Sequence, residues 1–145
     1  MGIDWWYNLY LPARNVATAL RAVAARARAD SGPVRVTLPG GEELTMPFTS
    51  NFRNRISIGL IYLHVWYTYS LRPGYVSMSF TAAVTGMSHL FADSSSVRGV
   101  FTDLAAEVGA VCCVFDREGD GDEICWPVTM PCNRDSLKEL AATWP

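Results

Sequence analysis

Charge is what this sequence has least of. Only 18% of its 145 residues are charged, against about 25% in typical globular domains. A formal net charge of −2 provides no broad field to draw in nucleic acid or an anionic membrane. Lysine is nearly missing, since Lys138 stands alone among twelve basic residues; with abundant alanine, this arginine preference points to a GC-rich bacterial source. No apolar run approaches the roughly 20 residues that span a bilayer, because the longest, from Gly59 to Val65, is short and carries His64. The N-terminus has no basic segment ahead of an apolar core, and the Met1-Gly2 start lacks the Ser or Thr of a myristoylation signal. A soluble, cytoplasmic protein that binds neither membrane nor nucleic acid is expected.

Metal-binding patterns are missing too. Cys112, Cys113, Cys125 and Cys132 contain no Cys-x-x-Cys spacing and have no histidine close in sequence, so no metal or cofactor is expected and reduced structural thiols are the default. The acidic stretch Asp116 to Asp122 has the spacing of a calcium-loop opening, but Pro127 stands where the bidentate Glu is required. It reads as a solvated hairpin tip.

Half of the residues are apolar and 12% aromatic, enough for one domain with a substantial core. The chain is organised around a long hairpin, with arms Ile56 to Tyr69 and Tyr75 to Thr85 about an Arg72-Pro73-Gly74 turn. Before it, Ile3 to Leu11 alternates Trp5, Tyr7, Leu9 and Leu11 against Trp6, Asn8 and Tyr10. Asn15 then caps a helix over Val16 to Ala29, with Val16, Leu20 and Val23 on its apolar stripe and Arg14, Arg21 and Arg28 opposite. A second hairpin sets Val34 opposite Met46 and Val36 opposite Leu44.

After the central hairpin, Gly86 to Asp93 reads as a loop or a single turn. A helix over Val97 to Val108 follows, presenting Val97, Phe101, Leu104 and Ala105 and closing at Gly109. Cys113 and Phe115 then alternate toward the acidic turn, and Ile124 and Trp126 alternate away from it, which puts Cys112 and Cys125 on the other face. A short helix from Asp135 to Thr143, capped near Asn133, ends the chain.

The fold class is therefore α+β, a single domain over 1–145 with a mostly antiparallel sheet of six or seven strands. Two main helices lie on one face, and a short helix is at the C-terminus. Segments 3–48 and 75–128 both read strand, helix, hairpin, consistent with a duplicated βαββ unit joined by strand 56–69.

Chemistry is sparse. His64 shares a strand face with Tyr62 and Trp66, so with Phe80 it can line an aromatic pocket as a general base, or be an ordinary partly buried histidine. His89 and Asp93 precede a helix N-terminus and can serve a site there or simply flank a cap. Cys132 is the thiol to test first for reactivity. The basic row Arg14, Arg21 and Arg28 is a solvated helix face or an acidic-partner site. Trp and Tyr concentrate binding energy at interfaces. The function expected first is thus a small bacterial binding module, a partner-binding or immunity-type protein, that uses an aromatic-rich sheet face with Trp6 and Tyr10. The alternative is a small enzyme or ligand carrier around His64. Two helices cannot cover both sheet faces, so a homodimer burying Trp6, Tyr10, Tyr67 and Tyr69 is expected.

Overall fold

The structure is a computed structural model that describes residues 5–26, 33–37, 43–47, 51–52, 56–57, 61–66, 71–82, 85–117 and 121–145. Its centre is an antiparallel pair of strands, β1 (Trp6–Pro12) and β7 (Tyr75–Ala82), in which Tyr7 lies opposite Phe80 and Leu9 opposite Met78. Around that pair the main sheet has six strands in the order β10 (Met130–Pro131), β9 (Glu123–Trp126), β8 (Cys112–Asp116), β1, β7, β6 (Ile61–Trp66). Every neighbouring pair in this sheet is antiparallel. The α+β class and the six-stranded antiparallel sheet follow from the strand alternation read in the sequence.

Alternation sends Tyr7, Leu9, Leu11, Met78, Phe80, Ile61, Leu63, Cys113 and Phe115 to one face, all of them buried. Three helices cover it. Helix α1 (Val16–Arg26) contributes Val16, Ala19, Leu20 and Val23, and α3 (Ser95–Glu107) contributes Val97, Phe101, Leu104 and Ala105. Between them in sequence is α2 (Thr85–Asp93), whose Phe91 is fully buried. Ser94 caps α3 by accepting a hydrogen bond from the Val97 amide at 3.2 Å.

Several expectations are corrected here. Gly86 to Asp93 is a helix, not a loop or single turn, so three helices rather than two lie on this face. The first arm expected over Ile56 to Tyr69 is not one strand at its start: β5 (Ile56–Ser57) pairs with β4 (Asn51–Phe52) in a separate two-stranded sheet, and β6 pairs with β7, while 58–60 and 67–69 lie outside the described residues. Asn15 does not cap α1. Its side-chain amide donates to the carbonyl of Val108 at 3.1 Å, satisfying the end of α3 across the core. The chain turns there at Gly109, whose φ of +71° suits glycine and where a Cβ would meet Asn15 Nδ2 at 2.8 Å.

The hairpin of β2 (Pro33–Thr37) and β3 (Glu43–Pro47) has the expected register, Val34 opposite Met46 and Val36 opposite Leu44. It forms its own two-stranded sheet and approaches β6. The later hairpin, β8–β9, joins the main sheet through β1.

The opposite sheet face is closed at one end by α4 (Arg134–Ala141) and the segment after it. Leu137, Ala141 and Trp144 pack with Tyr75, Cys112, Val114 and Ile124, and the Trp144 ring lies 5.1 Å from Tyr75 and 5.7 Å from Tyr10. Asn133 and Ser136 form a reciprocal capping box at the start of α4. Arg72 donates to the carbonyls of Ala141 and Ala142, where a cation complements the helix end. Tyr10 thus finds cover within its own chain; Tyr67 and Tyr69 lie outside the described residues. Among the described residues no helix is long and apolar enough to cross a membrane.

Because Trp144 fills a closed apolar contact, Trp144→Ala is expected to cost about 3–5 kcal/mol. Asn133→Ala should cost about 1 kcal/mol through loss of the cap. Urea denaturation of the two variants measures both, and equal losses would contradict the packing described.

Candidate functional site

Strand order creates two clusters of chemistry on opposite faces of the same sheet. On the face bearing α4, directly opposed residues make lateral rows. Asn8 lies opposite Ser79 and Val114, and Ser79 lies opposite His64, so His64, Ser79 and Asn8 run side by side across β6, β7 and β1. The next row places Thr81 and Asp116 on either side of Trp6, and the row on the other side places Trp66 beside Ser77 and Tyr10.

Within these rows the Asn8 amide donates to Asp116 Oδ2 at 3.4 Å, the Ser77 and Ser79 hydroxyls are 3.4 Å apart, and Thr81 donates to the Trp5 carbonyl at 3.3 Å. Asn8 is only 8% exposed, and its Oδ1 is buried with no hydrogen-bond partner. An orphaned buried acceptor costs about 1–3 kcal/mol. At the β6 end the surface opens: His64 is exposed, Trp66 is 44% exposed, and their rings stack at 5.5 Å and 24°. No hydrogen bond links His64 to Ser79, so no serine–histidine pair is assembled. The row is equipped for hydrogen-bond recognition beside an aromatic platform.

Of the residues expected to line a pocket with His64, Phe80 points the other way. It pairs with Leu63 and is fully buried against Phe101, at 5.3 Å, under the helices. The pocket expected between sheet and helices therefore cannot include His64. The side chain of Tyr62 lies outside the described residues. Trp6 and Tyr10 share the face of His64 and are half-buried.

The second cluster lies under the helices. The Tyr7 hydroxyl donates to the Phe91 carbonyl at 2.5 Å and accepts from Arg98 Nε at 3.3 Å, and Arg98 continues to Glu123 with N···O 2.6 Å. Beside this chain of bonds Cys113 and Cys125 place their sulfurs 3.4 Å apart. That juxtaposition corrects the expected faces of β9. The ladder shifts between Cys113 and Val114, whose partners are Trp126 and Ile124, so Cys125 is an extra residue on β9. With Phe115 opposite Glu123 and Val114 opposite Ile124, alternation already places Cys125 with Cys113 in the core and Ile124 with Val114 under α4.

Burial pushes the Tyr7 phenol well above the ordinary tyrosine range, opposed by Arg98, and burial does the same to Tyr10. Burial also raises Cys113, whereas the hydrogen bond between the two thiols lowers Cys125, with Arg98 assisting against burial. Cys112 is pushed up to about 12 by burial. Cys132 is pushed up to about 11 by burial and then by Asp122, Asp116 and Glu123, the reverse of the setting a reactive thiolate needs.

His89 and Asp93 are exposed on α2 itself rather than in a loop, His89 edge-on to Trp5 at 5.8 Å. At the hairpin tip Asp122 accepts from the Arg117 amide at 2.8 Å, so that carboxylate closes the turn. Among the described residues no group of three His, Cys, Asp or Glu is placed to hold a metal. Arg14 and Arg21 are exposed, as a solvated helix face would be; Arg28 lies outside the described residues. Comparison with protein-family models, curated proteins and solved structures finds no match.

The raised groups fix the sign of the alkaline response. Tyr7, Tyr10, Cys112 and Cys132 keep their protons in the folded chain above the ordinary values of about 10 and 9, where the unfolded chain loses them. Their contribution is complete below about pH 9 and declines as pH rises toward 12. Denaturation midpoints should fall steadily above pH 9, beyond the window in which the lowered Cys125 contributes with the opposite sign; a midpoint that rises from pH 10 to 12 would refute the assignment.

Proposed function

We propose that the protein is a small binding module whose β6–β7 sheet face engages a protein partner. The supporting observation is the contrast along one face. Its β8–β9 side is closed by α4 and Trp144, while its β6 side presents the exposed His64–Trp66 stack beside half-exposed Ser77. A large aromatic left in water next to polar groups is the usual centre of an interface. With a net charge of −2, recognition would depend on shape and desolvation rather than long-range attraction. An immunity-type role, in which a bacterial cytoplasmic protein neutralises another by occupying it, fits a small domain of this kind. Two-fold pairing with a second copy is the simplest form of the same contact.

Sedimentation and light scattering test the proposal. A complex, or a mass above the 16.0 kDa monomer, should form with the wild-type chain at micromolar concentration and be lost in Trp66→Ser. Exposed substitutions change stability by only about 0.5 kcal/mol, so unchanged circular dichroism would separate lost binding from lost fold. A monomer with no partner in native extract would remove the proposal.

A ligand-carrier reading has one observation in its favour, the buried, unpaired Asn8 Oδ1 in the row with Ser79 and His64. It calls for a neutral ligand bearing an N–H or O–H donor. Titration with simple amides and sugars, followed by nuclear magnetic resonance, should shift the Asn8 side-chain signals in the wild type. Asn8→Val should abolish binding without lowering the melting temperature. Absence of any shift at millimolar ligand would eliminate this reading.

A further inference from the structure

The sulfur pair under the helices is used by neither reading of the open face. Cys113 and Cys125 are both free thiols, 3.4 Å apart, and share a face in the register set by Phe115 opposite Glu123 and Val114 opposite Ile124. Cys112 and Cys132 belong to the other side of the sheet. Cys113 is fully buried, but Cys125 is 9% exposed, and the Arg98–Glu123 ion pair near it is itself 27% exposed on each side chain.

We propose that Cys113 and Cys125 are a peroxide-reactive dithiol, in which Cys125 takes the oxygen and Cys113 closes the disulfide. In the first step the Cys125 sulfur attacks one oxygen of a hydroperoxide. The O–O bond breaks, a sulfenic acid forms at Cys125, and the departing oxygen leaves as water, or as an alcohol from an organic hydroperoxide. In the second step the Cys113 sulfur attacks the Cys125 sulfur, the S–OH bond breaks, and the hydroxide leaves as water with the Cys113 proton. Two electrons pass from the thiols to the peroxide. The sulfurs need approach only from 3.4 Å to about 2.05 Å. Arg98 faces the pair as the cation, with Glu123 and the neutral Tyr7 hydroxyl as its partners. The hydrogen bond with Cys113 and the nearby Arg98 lower Cys125, while burial raises Cys112 and Cys132.

The test uses the full chain, reduced, treated with a small excess of hydrogen peroxide at pH 7, quenched, unfolded and alkylated. Wild-type protein should lose about 2 Da and two alkylation sites, and peptide mapping should find Cys113 joined to Cys125, with Cys112 and Cys132 alkylated. In Cys113→Ser the sulfenic acid should persist at Cys125 and be trapped by dimedone. In Cys125→Ser peroxide consumption should drop to the rate of an isolated buried thiol. Circular dichroism of each variant shows whether the fold is kept, and the wild-type linkage decides the question even if a variant does not fold. A different pairing, dimedone at another cysteine, or oxidation no faster than global unfolding would overturn the proposal.

Discussion

Tyr7 is the side chain on which the arrangement of this domain depends. Its ring stacks on Phe101 of α3 at 4.4 Å and on Phe115 of β8 at 4.9 Å, and it touches Phe91 of α2 at 5.1 Å. A buried phenol must also place its hydroxyl, and here the Phe91 carbonyl and Arg98 hold it. One residue of the central strand therefore sets where α2 ends, how α3 lies over the sheet, and which way Arg98 points. Because Arg98 is held by Tyr7, it reaches Glu123 on β9 and Phe115 beneath it, with its guanidinium 5.5 Å from the ring centroid. The geometry beside the sulfur pair is inherited from that anchor.

The second constraint is the register of β8 on β9. Strand side chains alternate with period two, so a one-residue change of register exchanges the faces of a whole strand. Pairing that aligns Phe115 with Ile124 would turn Cys125 away from Cys113. Here Phe115 lies opposite Glu123 and Val114 opposite Ile124, so Cys125 enters the helix-covered core and Ile124 the one under α4; the ladder then shifts, and Cys113 pairs with Trp126. The thiol pair is thus a consequence of the register at the turn, which the apolar alternation does not specify.

What was legible follows the same logic. Where periodicity is unbroken, the sequence reading holds: Tyr7, Leu9 and Leu11 share the core face, Val34 and Val36 meet Met46 and Leu44, α3 buries its expected stripe, and Asn133 caps α4. Thr85 to Asp93 was not legible as a helix, because a nine-residue segment with Gly86 and Ser88 carries little periodic signal. Packing of Phe91 on Tyr7 and Phe101 supplies what propensity does not. Asn15 looked like a local cap because its partner, the Val108 carbonyl, is distant in sequence. The grouping of His64 with Trp66 was visible on a single strand. The row through Ser79 to Asn8 required the strand order β6, β7, β1, and the same register turns Phe80 to the opposite face.

Strand β7 shows how differently the two sheet faces are built. Its helix-side residues Val76, Met78 and Phe80 are uniformly apolar, as a sheet face packed on helices requires. On its other side the chemistry changes along the strand: Tyr75 lies under Trp144, and Ser77, Ser79 and Thr81 follow. A face meant only for internal packing gains from Val or Ile at such central positions, and the part closed by α4 does use Cys112, Val114 and Ile124. Hydroxyls and an amide there cost stability unless something hydrogen-bonds to them, and Asn8 Oδ1 is still without a partner. The Ser77 and Ser79 hydroxyls bond each other and Thr81 bonds the Trp5 carbonyl, and Asn8, Ser79 and Thr81 are themselves buried, so the accessible part of this face is the His64–Trp66 stack at the β6 edge.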